Sequence, residues 1–424
     1  MTKVRLHARL LAPVVIKRDR QSERSAGVRS APGTVIRGAL ASSYLQRHGR
    51  ADDTFKRLFL NEAACRFGPL DPGPRIFPLT AASCKHDRLT HALVDQLWFR
   101  AAQHHAGCRM SGAAVHPWQE CAQCAADLKP QEGFWRADRG NLYEMRVEPD
   151  HVAAHVGIDR STATAADEMF FTLEAIAPSG KETDLYGWIR ANDAALGALE
   201  RLLHDEDGRI SMGHARTRGY GDVVLRVEHP RALEDANSRV HRWNQWSCAL
   251  SEFLASSAPD SVRKCRQDSL YFALSFPTGA VIVDRFLRYS VDPAAMIDWL
   301  PPMSAVGTAF PLEGRPVQQL DSGGAVRWIA AVTRHERLRG WNAAHGLPRQ
   351  DDWAVARGAV YLYCFEGAQS EREPLIERLD SLTGDGVGLR RNEGFGIVDV
   401  CDEFHHRFHR QEDFHACIEH RTGQ

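Results

Sequence analysis

The sequence predicts an α+β protein made of two ferredoxin-like (RRM-like) domains, and three observations lead to this prediction. A glycine-rich segment occurs twice, as GHARTRGYGDVVL at 213–225 and as GLRRNEGFGIVDV at 388–400, with an offset of 175 residues. Apolar residues at helical spacing precede each copy, and a β-rich run ends each one. We therefore expect each half of the chain to end in a helix, a glycine-rich loop and a strand.

The first half supplies the other elements of one such domain. The segment 4–16 is apolar and β-branched in its second half, and a helical pattern follows at 34–46. Candidate strands come at 142–147 and 169–176. The helix before the first glycine-rich segment covers 193–204, where four leucines share one face.

The second half repeats this arrangement. Its helix before the glycine-rich segment covers 373–382. Its candidate strands are 269–276, 281–286, 326–332, 360–365 and the final run 397–400. The order strand, helix, strand, strand, helix, strand is that of the ferredoxin-like fold, although the first helix of this copy is poorly marked.

The length of 424 residues accommodates two or three domains. We predict an N-terminal domain at 1–230 with an insertion at about 78–135, a linker helix within 231–260, a C-terminal domain at 261–404 and a polar tail at 405–424. The linker has the apolar spacing of an amphipathic helix that packs between the domains.

The two glycine-rich segments share residue types that suit single-stranded RNA. Glycine lets another backbone approach closely, arginine binds phosphate, and an aromatic ring stacks on a base. The candidate residues are Gly213, His214, Arg216, Arg218, Gly219, Tyr220 and Gly221 in the first copy, and Gly388, Arg390, Arg391, Gly394, Phe395 and Gly396 in the second. The alternative is a flexible turn whose aromatic residue packs into the core.

Composition limits the function without deciding it. Hydrophobic residues make up 43% and charged residues 25%, as in a globular protein, and no apolar run is long enough to cross a bilayer. Without a secretory signal, we expect a cytoplasmic protein. The net charge is −1, but 46 of the 53 basic residues are arginine, which suits phosphate, although codon bias would give the same excess. Near-neutrality implies that free RNA is held weakly.

Several segments resemble the RAMP superfamily of CRISPR-associated proteins, whose ferredoxin-like domains carry a glycine-rich loop before the last strand. The stretch APGTVIRGALASSYL (31–45) looks like the entry of that superfamily into its first helix, with Gly33 in the turn and Arg37 at the helix start. FKRLF (55–59) and FPLTAASCK (77–85) resemble the type III-D effector subunit family called Csx-ten, a Cas-five-like group with two RAMP domains. The segments 155–176 and 340–349 fit the same family.

This resemblance implies a binding role. Such a subunit is expected to hold the 5′ tag of the crRNA and to contact the large polymerase-like subunit and the backbone RAMP subunits. Such a subunit would contact target RNA only indirectly, because the guide RNA supplies sequence specificity by base pairing with the target. A structural adaptor that does not touch RNA is a second possibility.

Four of the ten cysteines indicate a metal site. In a chain without a secretory signal, metal ligation or reduced thiols are expected rather than disulfides. Cys121 and Cys124 have the two-residue spacer of a zinc half-site, and Cys84 and Cys108 complete a candidate Cys₄ site. The histidines within reach in sequence are His86, His91, His104, His105 and His116. Reduced surface thiols are the alternative.

Catalysis is not expected, but an endoribonuclease is the main alternative. The loop 15–27 holds Asp19 among basic residues, and backbone RAMP subunits that cleave target RNA resemble one another in using an aspartate after the first strand. His214 is a second candidate, and the terminal His405, His406 and His409 are weaker ones. The basic residues of the first loop and helix that we expect to extend the RNA path are Lys17, Arg18, Arg20, Arg29 and Arg37. No P-loop, dinucleotide or nucleophile-elbow motif is present.

Overall fold

The computed structural model describes most of the chain. The described residues are 1–16, 24–25, 30–87, 91, 93–105, 120–121, 123–138, 141–145, 151–177, 184–205, 207–229, 236–257, 270–284, 286–297, 316–319, 325–342 and 345–407. No helix within these ranges combines the length and apolar character needed to span a membrane.

The chain is a mixed α/β protein with antiparallel sheets. The helices are α1 (Gly33–His48), α2 (Asp53–Phe55), α3 (Gln96–His105), α4 (Asp193–His204), α5 (Ala236–Ser257), α6 (Pro293–Ile297), α7 (Gln369–Asp385) and α8 (Glu403–Arg407). The strands of the first half are β1 (Thr2–Leu10), β2 (Arg24–Ser25), β3 (Cys65–Phe67), β4 (Arg75–Ile76), β5 (Ala81–Cys84), β6 (Val94–Asp95), β7 (Leu128–Pro130), β8 (Phe134–Asp138), β9 (Asn141–Met145), β10 (His151–Ile158), β11 (Ala165–Ala175), β12 (Leu185–Ala191), β13 (Arg209–Ser211) and β14 (Asp222–Glu228). Those of the second half are β15 (Leu270–Ser275), β16 (Pro316–Gln319), β17 (Ala325–Val332), β18 (His335–Leu338), β19 (Trp341–Asn342), β20 (Leu347–Pro348), β21 (Asp352–Val355), β22 (Val360–Glu366) and β23 (Asp399–Val400).

The N-terminal sheet has the strand order β13-β14-β1-β12-β3, and β1 pairs antiparallel with both neighbours. Strand β1 alternates, so that Val4, Leu6, Ala8 and Leu10 are buried on one face. Helices α1 and α4 cover that face, and their apolar residues, such as Leu199, join the same core.

Two strands predicted for this sheet lie elsewhere. The segment 142–147 corresponds to β9, which pairs with β8, and 169–176 corresponds to β11, which forms a hairpin with β10. The strand that pairs with β1 on the side away from β14 is instead β12. The sequence did not predict this strand. Only alternate residues of β12 are buried, but Tyr186 and Trp188 on its other face are also hydrophobic. The apolar and polar residues therefore do not alternate clearly, and the signal of a half-buried strand is obscured.

The C-terminal sheet has the order β16-β17-β22-β15-β23. Strands β15 and β22 are buried almost throughout, as expected for central strands with apolar residues on both faces. The prediction of a strand at 281–286 was wrong. The described residues there form only isolated bridges, from Val281 to Leu389 and from Val283 to Tyr289.

The insertion and the C-terminal helix pack together against the second half. Trp98 of α3 meets Trp246 of α5 edge to face, with ring centroids 6.1 Å apart. Both indole N–H groups donate to the carbonyl of His405, at 3.0 and 3.2 Å. His405 is fully buried, so the predicted polar tail does not begin at residue 405. Two indoles supply the apolar surroundings and the hydrogen bonds that hold it in place.

Candidate functional site

The first glycine-rich loop connects β13 to β14 and closes against the segment that follows β1. The N–H of His214 donates to the carbonyl of Val15 at 2.8 Å, and that of Gly221 donates to Pro13 at 2.8 Å. Gly213 has a φ of 87°, and a Cβ there would lie 2.6 Å from the Val15 oxygen. Close backbone approach therefore requires glycine at this position.

Arg216 and Arg218 project from a short 3₁₀ turn in this loop, and both are exposed. The Arg218 guanidinium lies 5.3 Å from the ring centroid of Phe171 on the hairpin β10–β11. Among the described residues, the Arg216 side chain has no ion-pair or hydrogen-bond partner. The turn thus presents two cations to solvent, one of them stacked on an aromatic ring.

Tyr220 lies beneath this turn rather than on its surface. Its hydroxyl is 3.4 Å from Nε2 of His155, and the ring packs against a small core that contains Val15, Leu173 and Ala175. His155 stacks in turn on Phe171, with ring centroids 5.3 Å apart. Tyr220 therefore supports the loop from the hairpin side.

A groove of about 240 Å³ opens beside the loop. It is lined by the polar side of α1, including Ser42 and Gln46, together with Arg209 and Arg216. Asp222 also lines it, and its carboxylate accepts from Nε of Arg209 at 2.9 Å. Arg209 is therefore paired with a carboxylate, whereas Arg216 has no carboxylate partner among the described residues.

The second glycine-rich loop has nearly the same backbone but a different environment. Arg390 has a φ of 59°, as Ala215 does in the first copy, and Gly394 has a φ of 90° against 87° for Gly219. A Cβ on Gly219 would meet nothing within 4 Å. A Cβ on Gly394 would collide with the carbonyl oxygen of Phe67 in β3. The second loop is therefore packed against the N-terminal half.

The two arginines of the second loop are held in ion pairs. Arg390 contacts Asp352 at 2.6 Å and Glu393 at 2.5 Å, and its guanidinium lies 4.9 Å from the ring of Phe395. Arg391 contacts Glu62 at 2.6 Å. Because these cations already have carboxylate partners, they differ from the exposed pair in the first loop. RNA binding by this loop stays a prediction.

Glu393 is the centre of this interface between the halves. Its carboxylate is 4% exposed and contacts Arg37 of α1 at 3.0 Å, Arg349 at 2.7 Å and Arg390. Burial raises the pKa of Glu393, but the guanidinium groups of Arg390 and Arg349 outweigh burial and hold that pKa below its ordinary value. Arg37 also donates to the carbonyl of Phe59 at 2.6 Å. The predicted RNA ligand Arg37 thus has structural partners.

The basic loop near the N-terminus is described only in part. The predicted residues Lys17, Arg18, Asp19, Arg20 and Arg29 lie outside the described residues, as does His409. The short strand β2 runs parallel to β11, so part of this loop passes beside the hairpin that supports the first glycine-rich loop.

The cysteine cluster brings together Cys84, His91, Cys121 and Cys124. Their ligand atoms all lie within 4.8 Å of one another. The Sγ atoms of Cys84 and Cys124 are 3.5 Å apart, and His91 Nδ1 lies 3.3 Å from Cys84 Sγ and 3.5 Å from Cys121 Sγ. A tetrahedral zinc ion with Zn–S bonds of about 2.3 Å separates two sulfurs by about 3.8 Å. The donor set and spacing therefore fit zinc.

The fourth member of this cluster is His91, whereas the sequence predicted Cys108. Cys108 lies outside the described residues, and His91, one of the histidines within reach in sequence, stands with the three thiols. Burial raises the pKa of Cys84, but backbone N–H groups and His91 outweigh it and lower that pKa to about 6. A thiol of this kind ionises readily and binds a cation.

A buried serine and a buried aspartate meet at His405, one of the terminal histidines named above as weaker catalytic candidates. His405 Nε2 lies 2.9 Å from Ser275 Oγ, and its Nδ1 lies 2.6 Å from Asp95 Oδ2. His405 and Asp95 are completely buried. A nucleophile needs access to substrate, so this arrangement serves packing: it ties β6 of the insertion and α8 to the C-terminal sheet.

Comparison with known proteins assigns the chain to a family. A family model described as the RAMP superfamily matches residues 8–224. The chain belongs to the RAMP superfamily. No curated protein matches it at a significant level.

Several solved structures share distant structural similarity with this RAMP protein. A chain of the "Type III-B Cmr-beta bound to cognate target RNA and AMPPnP, state 1" aligns at 10% identity with a TM-score of 0.36, covering 88% of this chain and 93% of that one. "Pyrococcus furiosus Cmr4 (Cas7)" aligns at 13% identity with a TM-score of 0.22, covering 54% and 100%. A chain of a "Type IV-B CRISPR Complex" aligns at 14% with a TM-score of 0.24, covering 55% and 93%. Because these values are low, the assignment rests on the family model.

Proposed function

We propose that this RAMP protein is a non-catalytic RNA-binding subunit of a type III CRISPR ribonucleoprotein effector complex. In this proposal it holds the 5′ tag of the crRNA and contacts the large polymerase-like subunit and the backbone RAMP subunits. The type III-D family called Csx-ten is the proposed subfamily. Membership in the RAMP superfamily and the exposed cations of the first glycine-rich loop support it.

The observation that carries the proposal is the exposed pair Arg216 and Arg218. A guanidinium group binds phosphate through two hydrogen bonds and stacks on a base. Phe171 holds the Arg218 guanidinium from below, which limits its freedom before RNA binds. A cation that is already ordered loses less conformational entropy on binding.

The strand orders support two ferredoxin-like units. Within the N-terminal sheet the four strands β14-β1-β12-β3 are, in chain order, the fourth, first, third and second. Within the C-terminal sheet β23-β15-β22-β17 follow the same order. The duplicated loop comes before the last strand in each unit. On this basis we propose an N-terminal domain at 1–230 and a C-terminal domain that begins at 261, as predicted, and includes the buried His405.

An endoribonuclease remains the alternative. His214 in the first loop and Asp19 in the basic loop are its two candidates, and the second copy has Leu389 where the first has His214. A histidine is thus not needed for the loop itself. General acid–base cleavage requires a group that can accept the 2′-hydroxyl proton, so a substitution of either candidate would abolish cutting.

The test compares the two loops within one protein. The full chain, alone and co-expressed with its genomic neighbours, is titrated against repeat-derived RNA. The variant Arg216→Ala/Arg218→Ala is compared with Arg390→Ala/Arg391→Ala, which removes the same charge from the paired loop. We expect the first variant to weaken binding and to reduce the salt slope by about 1.4, the value for two phosphate contacts on a single strand.

The expected result for the control loop is different. Its variant should lose thermal stability rather than RNA affinity, because its arginines hold carboxylates at the interface. Product gels run in parallel should show intact RNA. If Arg216→Ala/Arg218→Ala binds RNA as tightly as the wild type, the role proposed for the first loop is refuted. If the wild type cleaves the RNA and Asp19→Ala or His214→Ala does not, the endoribonuclease is favoured.

We also propose that the cysteine cluster holds a structural zinc ion. The residues that would hold it are Cys84, His91, Cys121 and Cys124, and the ion would stabilise the fold of the insertion rather than supply chemistry. Metal analysis of the purified protein should find one zinc per chain in the wild type and much less in His91→Ala. The variant Cys248→Ser, which changes an exposed thiol on α5, should keep the zinc.

A further inference from the structure

The side of the N-terminal sheet that faces away from α1 and α4 carries cations and rings. Because β1 alternates, Arg5, His7 and Arg9 lie on the opposite face from its buried apolar residues. Tyr186 of β12 and Arg226 of β14 stand beside His7 in the strand register. We call these five residues the outer sheet face.

Rings and cations on this face are arranged in layers across three strands. Tyr186 stacks on His7 with ring centroids 5.0 Å apart and an interplanar angle of 11°. The guanidinium of Arg5 lies 4.2 Å from the Tyr186 ring centroid. Arg226 lies directly opposite His7 on the other neighbouring strand, and paired strands are about 4.8 Å apart. Planar groups thus cover a continuous strip of the sheet.

Acidic groups neutralise only part of the positive charge. His7 Nε2 lies 2.8 Å from the Asp184 carboxylate, and Glu228 lies 3.5 Å from His7 and 3.9 Å from Arg5. Arg9 and Arg226 are exposed, and neither forms an ion pair with any residue that the structure describes. The outer sheet face therefore has two cations available for an anionic ligand.

The end of this sheet surface that carries Lys3 and Arg190 is covered by other parts of the chain and is not open to a ligand. Arg190 donates to the carbonyl of Gly384 at the end of α7, so the second half lies over that end. Burial lowers the pKa of Lys3, which stacks on Trp188 there. The open part is thus the end that carries Arg5 to Arg9, a span of about 14 Å along β1.

We propose that the outer sheet face is a second binding surface for single-stranded RNA. The proposal rests on the proposed RNA-binding function and extends it from the glycine-rich loop to the sheet. Bases would stack on Tyr186, His7 and Arg5, and phosphates would contact Arg9 and Arg226. An open sheet with planar side chains is a recurrent platform for unstacked bases. The planar and cationic character of the face favours nucleic acid over an apolar protein partner.

The test uses the full chain and two labelled probes, a repeat-derived single-stranded RNA and oligouridylate of equal length. Arg9→Ala/Arg226→Ala should reduce the salt slope of binding by about 1.4, as expected for two single-strand phosphate contacts. The control Arg50→Ala/Arg201→Ala removes two exposed arginines elsewhere and should leave the slope unchanged. Tyr186→Leu should weaken binding to both probes by roughly 5- to 150-fold, because stacking tolerates any base.

Further measurements separate the possible failures. Tyr186→Phe keeps the ring and should bind like the wild type. If Tyr186→Leu fails to fold, ultraviolet cross-linking of the wild type should place RNA on peptides from β1 and β12, and its absence there would overturn the proposal. If only Arg216→Ala/Arg218→Ala weakens binding, the outer sheet face is refuted and the proposed function stands. If neither pair of substitutions weakens binding, both are refuted.

Discussion

Removing the charge of Glu393 should loosen the contact between the two halves. In Glu393→Gln, three guanidinium groups would keep their positions around a neutral side chain. Loss of one partner from a buried ion pair costs about 3–5 kcal/mol. Because Arg349 is 35% exposed and Arg37 21%, water offsets part of the loss, so we expect the lower end, about 3 kcal/mol.

The assay is unfolding followed by circular dichroism. About 3 kcal/mol corresponds to a decrease in Tm of roughly 6–12 °C for a domain of this size. Glu377→Gln, which changes an exposed glutamate on α7, serves as the matched control and should stay within about 0.5 kcal/mol of the wild type. Equal Tm values for the two variants would refute the role assigned to Glu393.

The pH dependence gives a second check on the same residue. The folded pKa of Glu393 lies below its ordinary value of 4.5. Its contribution is therefore present above pH 4.5 and is lost as the pH falls through the lowered folded pKa. The wild type should lose more stability than Glu393→Gln over this acid range, and parallel curves would contradict the assignment.

The remaining predictions concern the buried histidine, the metal cluster and the duplicated glycines. Burial lowers the pKa of His405, but Asp95 outweighs burial and raises that pKa above its ordinary value. The ion pair therefore stabilises the fold below pH 6.5, and this stabilisation is lost as the pH rises through the pKa of the folded protein. In Asp95→Asn, the urea midpoint should not show this dependence on pH. A chelator should lower the Tm of the wild type, and added zinc should restore it; an unchanged Tm would contradict a structural metal. Gly219→Ala should cost about 1–2 kcal/mol from left-handed strain alone. Gly394→Ala should lower the free energy of unfolding by roughly 1–3 kcal/mol more than Gly219→Ala, because the new Cβ would meet the Phe67 carbonyl. Equal losses of stability in urea titrations of the two variants would show that the two loops are packed alike.

Local patterns in the sequence predicted much of the secondary structure. The helix predicted at 193–204 has the same bounds in the structure, where Asn192 caps it by accepting from the N–H of Ala195 at 2.9 Å. The strands predicted at 326–332 and 360–365 lie inside their sheet rather than at its edges, and apolar runs interrupted only by Arg327 mark them in the sequence. These elements are determined by residues close in sequence.

Pairing between distant residues was harder to predict. The sequence showed β11 as a strand but could not show that its partner is β10 rather than β1, since both choices bury one face. Likewise, the spacing of Cys121 and Cys124 predicted a metal half-site. The other members depend on how the insertion folds, and His91 reaches the cluster from a loop with no spacing signal.

The duplicated loops have nearly the same backbone but different surroundings. Both copies need left-handed residues at the same positions, so the backbone accounts for the shared glycines. What differs is the neighbouring chain: Phe67 and Gly33 pack on the second loop, whereas the first loop faces solvent above the hairpin β10–β11. Glu393 forms an ion pair with Arg390 of its own copy, and the equivalent position in the other copy is Arg218. This exchange of Glu for Arg is the sequence difference that gives Arg390 a carboxylate partner in the second loop and places an additional exposed cation in the first.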